Sequence, residues 1–349
     1  MRKVLIGSVL AAGSLSAMAQ SSVTIYGIAD TFVGFGKGAA TDTRLMDGGN
    51  QASQLGVRGV EDLGGGLSAN YVLEGGINLD NGAGNVPGPG FAFTRQSYVG
   101  LKGGWGEVTL GRQYTPIFRT VWRADPLGVN TVFSPVTLWG QNDAQPGLTS
   151  WAARSDNAVM YTSPAGMPVQ GMIMYAPGEA AGSTSGNYLG ASVAYERGPV
   201  WLGWGYQNKK SGSAAAPVAS PTDSTSHVVA ASYNAGNMVL GGSWGFQGSN
   251  VPTSPKANIL NLNTKFIFGA SSVYADYGRR DVRDSSRDQD QWTLGYDYNM
   301  SKRTVLYARG LWLNNKGGGS VAPLGAGIAV APNSGQNSRL IGVGVMHKF

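Results

Sequence analysis

Along most of this chain the side chains alternate, residue by residue, between apolar and small or polar, in segments of about ten residues. The connections between segments alternate too. Short ones fall at 62–66, 103–106, 164–168, 196–199, 234–237, 269–272 and 299–303. Long ones fall near 37–49, 79–90, 115–150, 177–186, 211–224, 248–256, 282–288 and 315–336. Seven short and eight long connections join sixteen strands. One rim of the sheet is therefore plain and the other elaborated, and the even count brings both chain ends to the plain rim. A sandwich or a propeller needs no such asymmetry, whereas a membrane-spanning barrel has it built in. In lipid, strands are viable only where every backbone group is paired, hence only in a closed ring. Sixteen strands make a ring wide enough for a watery lumen. The expected fold is all-β, a sixteen-stranded antiparallel transmembrane β-barrel.

Side-chain parity fits this reading. Val200, Leu202, Trp204 and Tyr206 share one face, with Gly203, Gly205 and Gln207 on the other. Trp292, Leu294, Tyr296 and Tyr298 oppose Thr293, Gly295 and Asp297 in the same way. An apolar face with aromatics near its ends suits lipid and its interfaces, and a small or polar face suits water. A soluble sandwich gives the same alternation, so closure rather than parity decides. The mean hydropathy of −0.12 is what such averaging yields. The 54 glycines, without a collagen period, fit tight turns and closely packed strands.

One connection stands apart. Strand patterns at 93–101 and 107–114 flank the turn at 103–106, and the stretch 115–150 that follows shows no sustained strand or helix period. Loops of that length are rare in compact domains unless they have a function. This one carries Ile117, Phe118, Trp122, Leu127, Phe133, Leu138, Trp139 and Leu148, with Trp151 just beyond, too apolar a set to remain in water. It is expected to fold inside the barrel and narrow it.

The chain opens Met1-Arg2-Lys3, runs apolar from Val4 to Leu15 and reaches Ala17-Met18-Ala19 before Gln20. A positive start, a short apolar run and an A-x-A site predict a signal peptide, residues 1–19, cut between Ala19 and Gln20. The run is too short to span a bilayer as a helix. Loss of Arg2 and Lys3 takes the formal charge from +6 to +4, a mild excess without a Lys/Arg run, which argues against a nucleic-acid partner. The chain has no cysteine, so disulfides, thiol chemistry and cysteine-zinc sites are excluded. Nothing in the sequence asks for a cofactor or a metal. Residues 20–349 read as one barrel domain, with 115–150 as its constriction loop.

Four stretches carry a family resemblance. They are Ser22-Val-Thr-Ile-Tyr-Gly-Ile-Ala-Asp30, Leu55-Gly-Val-Arg-Gly-Val-Glu-Asp-Leu-Gly-Gly-Gly-Leu67, Arg95-Gln-Ser-Tyr-Val-Gly-Leu101 leading to Val108-Thr-Leu-Gly-Arg-Gln-Tyr114, and the ending Gly342-Val-Gly-Val-Met-His-Lys-Phe349. Spread over the mature chain, they resemble the general (diffusion) porins of Gram-negative bacteria, β-proteobacterial type. The resemblance implies an outer-membrane homotrimer and a water-filled channel for passive diffusion of small hydrophilic solutes and ions. It also implies that the third long loop enters the lumen. Phe349 resembles the aromatic C-terminal signal read by the outer-membrane insertion machinery, although His347 stands where many barrels carry Tyr.

In such porins, positive side chains on one wall face acidic groups or carbonyls of the inward loop, and the field between them sorts solutes by charge. Anion-preferring relatives carry Arg at the positions matching Arg95 and Arg154, and at a third position occupied here by Gln54. That departure implies weak rather than strong selectivity. Parity puts Gln54, Gly56 and Arg58 on the luminal face, with Leu55 and Val57 outward. Arg58 and Arg309 are candidates for further luminal charge. The loop offers Asp125 and Asp143, and also Arg119 and Arg123. Arg112 shares parity with Val108 and Leu110 and faces outward; since charge is costly in lipid, it is expected at a subunit contact.

Two other readings bear on function. Gly241-Gly-Ser-Trp-Gly245 matches the G-x-S-x-G nucleophile elbow, with only His227 and His347 as bases, but the segment alternates as a strand and lacks the strand-to-helix turn. An exported β-rich adhesin or binding protein without channel activity is the alternative to a porin. The mixed-charge run 279–290 reads as a solvated outer loop, a candidate contact for a cation or lipopolysaccharide.

Overall fold

A computed structural model describes residues 21–84, 90–129, 132–140, 151–323 and 333–349. The signal-peptide reading, with Ala19 and Gln20, and the candidate Asp143 lie outside the described residues. The strands are β1 (Ser22–Lys37), β2 (Thr41–Asp47), β3 (Gln54–Gly64), β4 (Leu67–Gly76), β5 (Gln96–Gly103), β6 (Gly106–Tyr114), β7 (Arg154–Thr162), β8 (Val169–Ala176) and β9 (Tyr188–Arg197). They continue as β10 (Val200–Lys210), β11 (Asp223–Asn234), β12 (Met238–Ser249), β13 (Ala257–Phe268), β14 (Ser271–Val282), β15 (Gln289–Asn299), β16 (Thr304–Asn315) and β17 (Ser338–Lys348). Each pairs antiparallel with its neighbours in one sheet.

The sheet closes on itself. Residues 28–37 of β1 pair with 339–348 of β17, and the backbones of Gly27 and Phe349 exchange hydrogen bonds of 3.0 and 3.1 Å. The Phe349 ring lies so close over Gly27 that an added Cβ there would meet it at 2.3 Å. On its other edge β1 pairs with β2 along residues 31–37 and with β3 along residues 22–28. β2 and β3 are thus one stave interrupted at 48–53, and the ring has sixteen staves.

That interruption corrects the sequence reading. Residues 37–49 are not a long loop but a turn at 38–40 followed by β2, whose Thr-Asp-Thr-Arg-Leu-Met-Asp composition hides its period. The break is held by Asp30, whose carboxylate accepts the backbone N–H groups of Asn50 and Gln51 and the Tyr307 hydroxyl. The Ser53 hydroxyl accepts the Asp30 N–H at 2.9 Å and donates to its carbonyl at 3.0 Å. Gly49 passes so near Tyr307 that a Cβ would stand 2.3 Å from the phenol oxygen. All seven expected short turns are present, at the ends of β3, β5, β7, β9, β11, β13 and β15.

Outward-facing Leu202, Trp204, Trp244, Trp292, Leu294, Ile341 and Val343 are exposed, which in a barrel means exposed to lipid. The apolar core lies inside the ring and is built by the third long loop. Here too the sequence reading needs correction, because the loop opens with a helix, α1 (Pro116–Ala124). Thr115 caps it by accepting the Phe118 N–H at 3.3 Å, and Pro116 occupies the first turn, where its missing N–H costs nothing. Ile117, Phe118, Val121 and Ala124 form one buried stripe at helical spacing; nine residues are too few for that period to stand out in the sequence. A 3-10 helix, Pro135–Gly140, follows.

Ile117, Phe133, Leu138 and Trp139 are fully buried against Phe32, Val228, Ile259, Leu311 and Leu340 of the inner wall. Each such side chain contributes about 1.5–3 kcal/mol. Inward polar groups bond the loop backbone: Gln247 donates to the Trp139 carbonyl at 2.9 Å, and Gln291 and Thr293 donate to the Phe133 carbonyl at 3.0 and 2.6 Å. α1 packs on β8–β12 and the 3-10 helix on β13–β15, so the loop fills one side of the lumen. Asp30→Ala is expected to leave three donors unanswered and to destabilise the barrel by about 3 kcal/mol. The check is the heat-modifiability midpoint on a denaturing gel; an unchanged midpoint refutes the role given to Asp30.

Candidate functional site: the constriction between loop and wall

Opposite the filled side, a cavity of about 490 Å³ remains between α1 and the wall. Its wall residues are Ile28, Gln51, Ala52, Gln54, Glu74, Arg95, Gln96 and Tyr114, and its loop residues are Arg119, Trp122 and Arg123. Two hubs organise the wall. Arg95 donates through Nε to Glu74 Oε1 at 2.9 Å and through Nη2 to the Tyr114 hydroxyl at 2.8 Å. Arg154 donates to the same hydroxyl at 2.7 Å, its guanidinium 4.4 Å from the Tyr114 ring centre. Glu74 further accepts from the Tyr26 hydroxyl at 2.8 Å and from Gln54 Nε2 at 3.2 Å. Arg58, exposed, lies over the Tyr26 ring at 5.2 Å.

These contacts divide the charges. Arg95 is buried and neutralised by Glu74. On the loop, Arg123 pairs with Glu196 of β9 and lies over Trp201 at 5.7 Å. Arg119 and Arg154 have no carboxylate within ion-pair distance among the described residues. Arg154 reaches the first cavity only through its bond to Tyr114; its own side chain lines a second cavity of about 330 Å³ on the loop-rich side, together with Lys209, Tyr188 and Glu179.

Several sequence-predicted residues stand elsewhere. Asp125 does not face the passage. It is buried, accepting from the N–H groups of Leu127 and Val129 at 2.9 and 2.8 Å, from the Ser134 hydroxyl at 2.6 Å and from Asn263 of β13 at 3.4 Å. It folds the loop back on itself rather than presenting charge to solutes. Arg309 points inward but is spent on Asp297 at 2.7 Å and covered by Tyr274 and Tyr307, so it adds no open charge. Arg112 emerges on the outer face, where Asp156 and the Thr94 carbonyl meet it within the chain. The run 279–290 is half strand and half loop: residues 279–282 close β14, Gln289 and Asp290 begin β15, and 283–288 form the loop between them. Arg279 bonds Asp288, and Lys316 bonds Asp290.

Sequence reasoning passed over Glu74, Tyr114 and Trp122 as site residues. Glu74 was visible by parity, as the one acid on the inward face that it shares with Ser68, Asn70 and Val72. Trp122 follows Phe118 by one helical turn, a spacing hidden while α1 went unrecognised. Ser243 is buried inside the barrel and accepts from Asn261, whereas His227 packs on Tyr206 on the outer face, so the two cannot form a nucleophile–base pair.

A closed sixteen-stave barrel with a lipid-facing outside, a polar lumen and a loop narrowing it belongs to the class of outer-membrane diffusion channels. The chain is a member of the Gram-negative porin family, whose profile matches residues 7–318. It is 34% identical to outer membrane porin protein 32 of Delftia acidovorans over all of both chains. Among solved structures, the anion-selective porin from Comamonas acidovorans superposes with a TM-score of 0.84 at 32% identity, covering 95% of this chain and 100% of that one. The trimer form of OmpT of Vibrio cholerae, at 14% identity and a TM-score of 0.68 over 94% of this chain and 99% of that one, shares the fold. The protein is an outer-membrane porin whose lumen is a channel for small solutes, which removes the adhesin alternative.

Burial pushes the Asp125 carboxyl above the ordinary carboxylate range, against the pull of its bonds from Ser134, Val129 and Leu127. Such a group takes up its proton more readily in the folded loop than in the unfolded chain, so its contribution favours the folded loop as pH falls. Asp125→Ala is expected to remove about 2–3 kcal/mol of anchoring and to raise open-channel current noise in planar bilayers. Noise equal to wild type at neutral pH refutes the anchoring role.

Proposed function

We propose that this channel passes small hydrophilic solutes with a weak preference for anions, set by Arg119 at the constriction and by Arg154, which bonds Tyr114 of the constriction wall from the adjoining cavity. The carrying observation is that these two guanidiniums lack an ion-pair partner among the described residues, while the loop's Asp125 is turned away from the passage. Fixed positive charge in a narrow, low-dielectric passage raises the local concentration of anions. Glu74 cancels Arg95, and Gln54 contributes only amide groups, which keeps the preference modest. The anion-selective description of the Comamonas acidovorans relative supports this reading.

The chain acts as a homotrimer, by analogy with the OmpT trimer form. Arg112 with Asp156 marks a subunit contact, since an ion pair facing lipid is costly and one facing protein is not. Phe349, exposed at the seam, serves as the assembly signal for the insertion machinery, and the outer loops meet lipopolysaccharide. No catalysis is assigned, in keeping with the separation of Ser243 from His227.

Arg119→Glu combined with Arg154→Glu is expected to move the reversal potential in a potassium chloride gradient to the cation side; Glu74→Gln, which releases Arg95, moves it further to the anion side. An unchanged permeability ratio in all of these variants overturns the assignment. For assembly, chemical cross-linking of the detergent-extracted protein should give a three-chain limit, and a one-chain limit excludes the trimer.

A further inference from the structure

We propose that the constriction is a binding site for aromatic carboxylates, with the ring on Trp122 and the carboxylate on Arg119. The proposal rests on the anion preference argued above and adds the solute's shape to its charge. Four apolar side chains of α1, Ile117, Phe118, Val121 and Ala124, are buried against the barrel, but Trp122 is 38% exposed and borders the open cavity. A large indole turned to the water of a channel forgoes burial that its neighbours obtain.

Its surroundings say what would cover it. Tyr114 and Phe118 stack nearly parallel, with ring centres 4.8 Å apart and planes inclined by 7°. Trp122 is the next ring, 6.0 Å from Phe118 and 5.7 Å from Tyr114. The aromatic cluster therefore ends at the passage, where a planar solute ring can extend it by an offset or edge contact. Arg119, one turn before Arg123 on the same helix, also lines the cavity and is without an ion-pair partner among the described residues. A carboxylate matches a guanidinium through two parallel hydrogen bonds. The same guanidinium repels an aromatic cation, which the indole face alone would attract. The cavity of about 490 Å³ admits a single-ring acid and water. An aliphatic carboxylate meets the charge but gains little from the ring, and an inorganic anion gains nothing from it.

The test uses the full-length protein refolded into planar bilayers, with benzoate, cyclohexanecarboxylate or acetate added to a potassium chloride background and block or current fluctuation read as apparent affinity. Benzoate is expected to bind about three- to tenfold more tightly than cyclohexanecarboxylate, the ratio that one aromatic contact supplies. Trp122→Ala should abolish that ratio, Trp122→Phe should keep most of it, and Arg119→Gln should weaken both acids. Equal binding of the two acids by wild type overturns the proposal, and so does a ratio that survives Trp122→Ala. The wild-type comparison needs no variant to fold. If wild type shows no anion preference in chloride, the charge reading fails; if that preference stands while the two acids bind alike, only the aromatic site fails.

Discussion

Hydrocarbon offers no partner to an unpaired strand edge, so the ladder between β1 and β17 is the condition for everything else in the molecule. With that ladder made, sixteen staves fix a ring too wide for inward side chains to fill by themselves. An interior of that width must hold either water or another piece of chain. Here it holds both. The apolar stripe of α1 and the buried Phe133, Leu138 and Trp139 occupy the side lined by β8–β15, and water keeps the side lined by β1–β6. The passage is thus what remains after a hydrophobic core has been laid down off centre.

Burial sorts the charged residues by role. Asp30 and Asp125 are buried and well bonded, each joining segments distant in sequence, and Arg309 is buried against Asp297 of the neighbouring strand. A buried charge is tolerated only when it is well bonded, so these groups hold shape and do not meet solutes. Arg119, Arg154 and Arg58 keep access to water, and two of the three lean on aromatic rings rather than on carboxylates. A ring fixes the direction of a guanidinium without cancelling its charge, whereas Glu74 does cancel that of Arg95. The tyrosines of the inner wall thereby let some cations stay both ordered and active in the field.

Much of this was legible in the sequence because strand parity and turn spacing are local. The alternation of Trp292, Leu294 and Tyr296 with Thr293 and Gly295 needs only neighbouring residues to be read, as do the seven tight turns. The losses came where a local signal was too short or where a partner was remote. β2 was mistaken for loop because both of its faces are polar along most of its length. α1 escaped because two and a half turns give a helical period little room. The luminal place of Arg95 was implied by the family resemblance, but its neutralisation depends on Glu74, twenty-one residues away. The misplacement of Asp125 has the same origin: an acid in a loop across a lumen reads as pore-facing unless Asn263 and Ser134 are known to stand beneath it.

The seam also sets a timetable. Its register joins Ile28 to Lys348, so the stave made first must wait for nearly the last residue of the chain before its outer edge is satisfied. Contacts of such long range are slow to form, and an apolar edge left open in the meantime invites pairing with other chains. A nascent copy is consequently at its most vulnerable between export and insertion, and its survival there depends on escort rather than on its own stability.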